Sequence, residues 1–465
     1  MANSFTRRIL PAGRWIIGLE ISPNLLMNTT AFDPMTQGKV QREVALAACF
    51  GTFLEWYDFL TFASLATMFG GLFFPGEDPT ASLLKSLATF GVGMVVRPVG
   101  AALFGSLGDR YGRRIVFIAT ISLMGVATFA VGLLPVYADA GFIAPLLLVS
   151  LRLLQGLAMG GEIGGAIVYL TEHAPVARRG MSTSVLQLMG PLGVMTSTAQ
   201  IVLLQRWLTH EQFYQWGWRV PFLFSALLLA ISLKSRIALH ESPVFKSLAD
   251  NQQIAKTPLR DCFADRVTRG RMALLFFCIS SGGSLLFFSS QVYAPVFLKT
   301  VVGLDPSLAG ELALAATLAL FPLTIFAGWL SDQIGRRPVL LTGLLLGAGG
   351  VIPVYAGLLD YGATNSLLVI VMLLVLVTAV ALITGPQTAT LAELFPARFR
   401  YSAVGLPHNL AAGWIGGMSP FMVTLIATKL GSPLAGLLYP SLLLMLAFFV
   451  GWRYLPETRG TDLRQ

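Results

Sequence analysis

The chain has 465 residues, of which 55% are hydrophobic and only 12% charged, with a mean hydropathy of +0.72. A soluble protein carries about 25% charged residues, so this composition excludes water as the main solvent and implies a bilayer. The net charge of +9 does not mark a nucleic-acid binder, because the basic residues flank apolar spans and form no single stripe.

In chain order, residues 1–44 hold Arg7, Arg8, Arg14, Lys39 and Arg42 but no apolar stretch of signal-peptide type. They are expected as a cytoplasmic tail, with Met35 as a second candidate start. Six apolar spans follow, at 45–73, 86–107, 115–134, 143–170, 182–205 and 218–236. The stretch 237–270 is the longest polar run, read as a cytoplasmic linker with one amphipathic helix along the membrane surface. Six more spans lie at 272–298, 308–330, 338–359, 366–391, 402–427 and 433–455, and 456–465 forms a short cytoplasmic tail. Each span reaches the ~20 residues that cross a bilayer, and each must be a helix to satisfy its own backbone in lipid. The expected fold is therefore all-α and integral to the membrane: twelve helices in two pseudo-symmetric six-helix bundles, 45–236 and 271–455. Lys and Arg concentrate in the tails, the linker and alternate loops, which orients both termini to the cytoplasm. Cys49, Cys262 and Cys278 are expected to form neither a disulfide nor a metal site.

The halves repeat each other. GSLGDRYGRR at 105–114 returns 223 residues later as GWLSDQIGRR at 328–337, sharing Asp109/Asp332, Gly112/Gly335, Arg113/Arg336 and Arg114/Arg337. Glu172 recurs as Glu393, and Glu241-Ser242-Pro243 loosely as Pro456-Glu457-Thr458. Duplication in a multi-span membrane protein points to transport.

Few charges remain within the spans: Glu55 and Asp58 in the first, Arg97 in the second, Arg152 and Glu162 in the fourth. A charge at mid-bilayer costs at least ~2.5–3.5 kcal/mol and marks a cavity or a partner. Glu55 and Asp58 share a helix face, and two carboxylates in one low-dielectric site make one of them a proton carrier. Asp58, Glu55, Glu162 and Arg152 are thus the proton-coupling candidates, against a permanent ion pair between the first and fourth helices. Arg97 lies about 18 Å from Asp109 along its helix, near the midplane, where it either grips a substrate carboxylate or pairs with Glu55 or Glu162. Further substrate-binding candidates are Arg152, Tyr57, Gln155 and Gln187 in the first half, and Gln291, Tyr293, His408 and Asn409 in the second. The glycines of helix 4 and of 190–193 are read mainly as close packing.

These residues resemble the major facilitator superfamily. The repeated GSLGDRYGRR looks like its loop signature, and Arg152 through Gly160 like its helix-4 signature. The stretches Gly51–Phe59, Arg97–Gly100, Gly161–Gly165 and Trp218–Phe222 are similar to the metabolite:proton symporter family. That resemblance implies a proton taken by Asp58 with Arg152 as its partner. It implies a cytoplasmic latch at Asp109, flanked by Arg113 and Arg114, that holds the halves together. Asp332 with Arg336 and Arg337 is the second copy, expected to latch less firmly because Gln333 replaces Arg110.

The leading function is proton-coupled import of a small organic acid by alternating access across the inner membrane. The expected partners are a small carboxylate substrate and lipid, with no nucleic acid, no cofactor beyond the proton, no metal, and a monomeric chain. A zwitterion symporter for betaine or proline is the alternative, with Trp56 and Tyr57 as part of an aromatic cage. A drug antiporter or a sensor ranks lower. No nucleophile, metal or phosphate-loop motif suggests an enzyme.

Overall fold

Long apolar runs without lipid-compatible alternatives become helices, and the computed structural model, which describes residues 34–76 and 79–464, is helical throughout its spans. The first six long helices are α1 (Pro34–Phe73), α2 (Pro79–Tyr111), α3 (Arg113–Leu133), α4 (Ile143–His173), α5 (Val176–Trp207) and α6 (Arg219–Ile237). The second six are α7 (Arg266–Thr300), α8 (Pro306–Ile334), α9 (Arg336–Tyr361), α10 (Ser366–Glu393), α11 (Ala397–Leu430) and α12 (Pro433–Tyr454). Among the described residues, eleven helices are long and apolar enough to cross a membrane, and the first predicted span, 45–73, lies in α1. The predicted tail lies outside the described residues up to residue 33.

Small residues set the packing that positions the site. A Cβ on Gly156 would lie 2.2 Å from the Gly93 carbonyl oxygen, and one on Gly160 2.0 Å from that of Arg97. Only glycine lets α4 lie this close to α2, and the contact places Arg97 and Arg152 on adjoining backbones. Gly190 packs on the Trp56 ring and Gly193 on the Tyr57 backbone, which seats α5 against α1.

The repeats fold alike. Gly112 (φ +113°) and Gly335 (φ +105°) turn the chain into α3 and α9, a backbone region that favours glycine. A carboxylate then satisfies each helix start. Glu241 accepts the Arg113 and Arg114 N–H groups at 3.1 and 3.2 Å, and Glu457 accepts those of Arg336 and Arg337 at 2.8 and 3.1 Å. An anion at a helix N-terminus is favourable, so the recurrence of Glu241 as Glu457 is a capping device.

The linker differs from expectation. It forms two short helices, Pro243–Asp250 and Pro258–Ala264. The first buries Val244 and Leu248 against Ala397 and Leu463, so its apolar face covers protein rather than lying on lipid. Arg236, read as part of the basic loop excess, is instead fully buried at the end of α6.

Candidate functional site

The end of the bundle that carries the two repeated loops, here the motif end, is closed by two matching clusters. Asp109 at the end of α2 accepts the backbone N–H groups of Tyr401 (3.2 Å) and Ser402 (2.9 Å) in the first turn of the α11 segment Arg400–Leu410. Arg113 lies 3.5 Å from Asp109 and donates to the Ala397 carbonyl at 2.7 Å, while Glu172 pairs with Arg400 at 2.8 Å. In the second cluster Asp332 accepts the Gly180 and Met181 N–H groups of α5, both at 2.9 Å. Arg336 pairs with Asp332 at 2.6 Å and with Glu393 at 3.3 Å, and Glu393 meets Arg179 at 2.9 Å. Each cluster holds two carboxylates and two guanidiniums, so charge balances within it.

Two expectations are corrected here. The second latch is not the weaker one: Asp332 sits closer to its arginine than Asp109 does, and its backbone bonds are at least as short. Position 333 contributes through its backbone carbonyl, which accepts from Arg459, so replacing arginine by glutamine there costs the latch nothing visible. Arg114 and Arg337 do not bridge the halves. They donate to the Ile237 and Trp452 carbonyls at 2.7 and 2.6 Å, tying each loop to the last helix of its own bundle. Arg179 and Arg400, missed in the sequence, stand seven residues beyond Glu172 and Glu393, so they extend a recurrence that the sequence offered.

Between the halves lies a cavity walled by Glu55, Trp56, Arg97, Gln187, Ser284, Phe287, Phe288, Thr384, Gln387 and His408 among others. Arg97 Nη2 is 3.4 Å from Glu55, and its Nε donates to Asn409 Oδ1 at 3.0 Å. Asn409 in turn donates to the Gly160 and Gly405 carbonyls at 3.0 and 2.8 Å, so α11 is bonded to both α2 and α4 at this level. Glu55 Oε2 has no hydrogen-bond partner among the described residues. Gln187 donates to Thr388 across the halves at 3.0 Å, and His408 Nδ1 lies 2.9 Å from Ser280 Oγ. Trp56 meets Phe287 of the other half with ring centroids 5.3 Å apart. Wide π-helical turns at 275–280, 288–293 and 411–416 interrupt α7 and α11, and Phe288 and Ala412 of these turns line the cavity, a feature frequent at functional sites.

A smaller cavity adjoins it, with Met94 on both walls. Here Arg152 Nη1 is 2.9 Å from Asp58 Oδ2, and Gln155 donates to Asp58 Oδ1 at 3.0 Å and to Thr128 at 2.9 Å. The Arg152 guanidinium lies 3.8 Å above the Phe62 ring. Glu55 and Asp58 therefore do not share a site: three residues of helix turn them to different arginines and different cavities.

Glu162, expected among the proton-coupling residues, is held in a buried ion pair. Both its oxygens bind Arg236, and Thr120 donates to it at 2.9 Å. Arg236 also donates to the Phe117 and Ala47 carbonyls at 2.5 and 3.2 Å. A buried pair so fully bonded holds α3, α4 and α6 together, and neither group lines a cavity named above.

Three substrate candidates turn away from the central cavity. Tyr57 donates to the Pro221 carbonyl at 2.9 Å and to Gln200, within its own half. Gln291 accepts from Thr317 at 2.6 Å, and the Tyr293 ring packs on Tyr355 and Phe297. Gln155 and Arg152 line only the smaller cavity. Arg97, Gln187 and His408 do reach the central wall, and Asn409 acts behind it through Arg97. Phe287, Phe288, Ser284 and Thr384 were missed, because apolar and small polar residues on an apolar helix carry no signal of which face meets a cavity.

Comparison with known proteins accords with this architecture. The inner membrane metabolite transport protein YhjE of Escherichia coli K12 is 37% identical over 85% of this chain and 90% of its own length. The shikimate transporter of the same organism is 33% identical over 83% and 88%, and the proline/betaine transporter of Salmonella typhimurium LT2 is 32% identical over 93% and 85%. Among solved structures, the proton:xylose symporter XylE bound to 6-bromo-6-deoxy-D-glucose superposes with a TM-score of 0.74 at 19% identity, covering 92% of this chain and 98% of that one; at that identity the likeness concerns the fold. The profile of the Major Facilitator Superfamily matches residues 45–406 and 279–465. With its long apolar helices, paired charge clusters and central cavity, the chain belongs to the major facilitator superfamily and is a multi-pass membrane transporter.

Proposed function

We propose that this transporter imports a small organic acid together with a proton, across the inner membrane, with the motif end and both termini in the cytoplasm. The observation that carries the reading is the Arg97–Glu55 pair on the wall of the cavity between the halves. A guanidinium there offers a planar fork to a carboxylate, and a carboxylate beside it offers a place for a proton. The relatives named for a metabolite and for shikimate support this class, as does the fold shared with a proton symporter. The closed motif end corresponds to the outward-facing half of an alternating-access cycle. Asp58 with Arg152 forms a second buried pair that ties α1 to α4.

A zwitterion such as betaine or proline is the second reading. Trp56, Phe287 and Phe288 give the wall three aromatic rings, which suit a quaternary ammonium, and one relative is named for proline and betaine. The test is uptake by purified protein in liposomes under an inward pH gradient, with shikimate, citrate and glycine betaine compared. Accumulation of an acid that a protonophore abolishes supports the first reading. Accumulation of glycine betaine alone replaces it with the second.

A further inference from the structure

The three carboxylates within the spans of the first half differ in how their charge is held. Glu162 has three donors and Asp58 has a bonded partner on each oxygen. Glu55 has one contact, at 3.4 Å, and its Oε2 is orphaned, though the residue is only 1% exposed. Its partner is equally under-used. Arg97 is fixed through Nε by Asn409, while Nη1 meets only the Met94 sulfur, at 3.6 Å. Both terminal nitrogens thus remain for a better acceptor than Glu55.

Charge counting narrows what that acceptor is. Arg97 is the sole guanidinium on the central wall among the described residues, and Glu55 its sole carboxylate. The other groups near Glu55 are accounted for. His408 faces the cavity from α11, bonded to Ser280; Glu162 and Arg236 of α4 and α6 neutralise each other; Asp58 of α1 and Arg152 of α4 do the same. If an acid docked on Arg97 while Glu55 stayed ionised, two carboxylates would share one guanidinium at low dielectric, which is strongly disfavoured. A protonated Glu55 removes the conflict. The site then holds one cation and one anion, the same net charge as when it is empty. A di- or tricarboxylate would leave an anion facing only neutral side chains and an imidazole.

We propose that Glu55 and Arg97 form an exchange site for a monocarboxylate and one proton. The entering carboxylate replaces a protonated Glu55 on Arg97, and the loaded and empty carriers both cross the cycle with no net charge at this site. This inference rests on the organic-acid reading above and specifies its substrate charge and stoichiometry. The proton binds a Glu55 oxygen from the outer solution and leaves to the inner one when the carboxylate departs and Glu55 returns to Arg97.

The test uses the full chain in liposomes, with shikimate, gluconate and 4-hydroxybenzoate as monoanions and succinate and citrate as polyanions. Potassium and valinomycin set the membrane potential independently of pH. The expected result is monoanion accumulation driven by a pH gradient, tenfold per pH unit at equilibrium, with no response to an imposed potential. Polyanions should not accumulate. Glu55→Gln should still exchange monoanion across the membrane but lose accumulation, and its apparent affinity should no longer depend on pH. Monoanion uptake that carries current, or accumulation of succinate or citrate, overturns the proposal while leaving the organic-acid reading in place. No uptake of any acid under either gradient overturns both. Should Glu55→Gln fail to fold, the wild-type response to potential decides alone.

Discussion

Opening the motif end should be equally sensitive to both latches. Asp109 and Asp332 each accept two backbone N–H groups at the start of a helix of the opposite half, at 2.9–3.2 Å. A hydrogen bond to a charged group contributes about 1.5–3 kcal/mol, and a charge at a helix N-terminus about 0.3–2 kcal/mol. Asparagine keeps one acceptor oxygen but turns an amide towards the second N–H. Asp109→Asn or Asp332→Asn should therefore cost the closed state about 2–3 kcal/mol, which moves the open-to-closed ratio roughly 30- to 150-fold. Cys262 supplies a native reporter. It is fully buried in the linker helix Pro258–Ala264, its sulfur 3.8 Å from the Phe399 carbonyl beside the first latch. Burial, with the nearby Asp109 charge, holds its thiol well above the ordinary range, so it reacts slowly while the latch is shut. In a Cys49→Ala/Cys278→Ala background, maleimide should label either variant at least tenfold faster than the parent. Asp332 belongs to the other cluster, so its effect on Cys262 has to travel through motion of the two halves. Faster labelling in Asp109→Asn alone would mean local fraying and refute the paired latch. No change in either would refute the latch altogether.

Three further outcomes follow from the site. Arg97→Lys keeps the charge but loses the planar fork, so the apparent affinity for a transported acid should fall at least tenfold, while Arg152→Lys, which does not reach the central wall, should change it less; equal effects would place both arginines on the substrate. Asp58→Asn leaves Arg152 buried without its carboxylate, a loss of about 3–5 kcal/mol, so its Tm in detergent should drop, and the double variant Asp58→Asn/Arg152→Gln should recover part of that drop; a further fall in the double variant would contradict a simple pair. Gly51→Ala should lower the Tm in detergent, because the new Cβ would stand 1.7 Å from Arg236 Nη2 and 2.2 Å from Glu162 Oε1 and the buried pair would have to shift; an unchanged Tm would mean that the Glu162–Arg236 pair is placed differently.

The sequence made the architecture legible because both periodicity and duplication report on it directly. Twelve apolar runs and three recurring landmarks left little freedom for the fold. The same recurrence identified Asp109 and Asp332, whose helix-start partners follow from the symmetry of the halves. Pairing was harder to read. Glu162 looked free because its partner Arg236, 74 residues later, sits at the end of an apolar span and is indistinguishable in sequence from a topology-setting loop arginine. Glu55 and Asp58 looked coupled because a three-residue spacing puts them on one face, yet a rotation of about 60° around a helix is enough to send them to different neighbours. Tyr57, Gln291 and Tyr293 are polar tips on apolar helices, and each found its partner within its own bundle. Which face of such a helix meets the cavity depends on how the bundles dock, and that information is spread over the glycine contacts of α2, α4 and α5 rather than held by any one residue.

Joint passage of a carboxylate and a proton through the site at Arg97 and Glu55 can be followed from the lumen of a proteoliposome. The most direct measurement traps a pH-sensitive dye inside proteoliposomes and follows lumenal pH when acid substrate is added outside, with no initial gradient. Lumenal acidification should accompany uptake mole for mole and should be lost in Glu55→Gln, although labelled substrate still exchanges. Substrate entry with no change in lumenal pH would contradict joint passage.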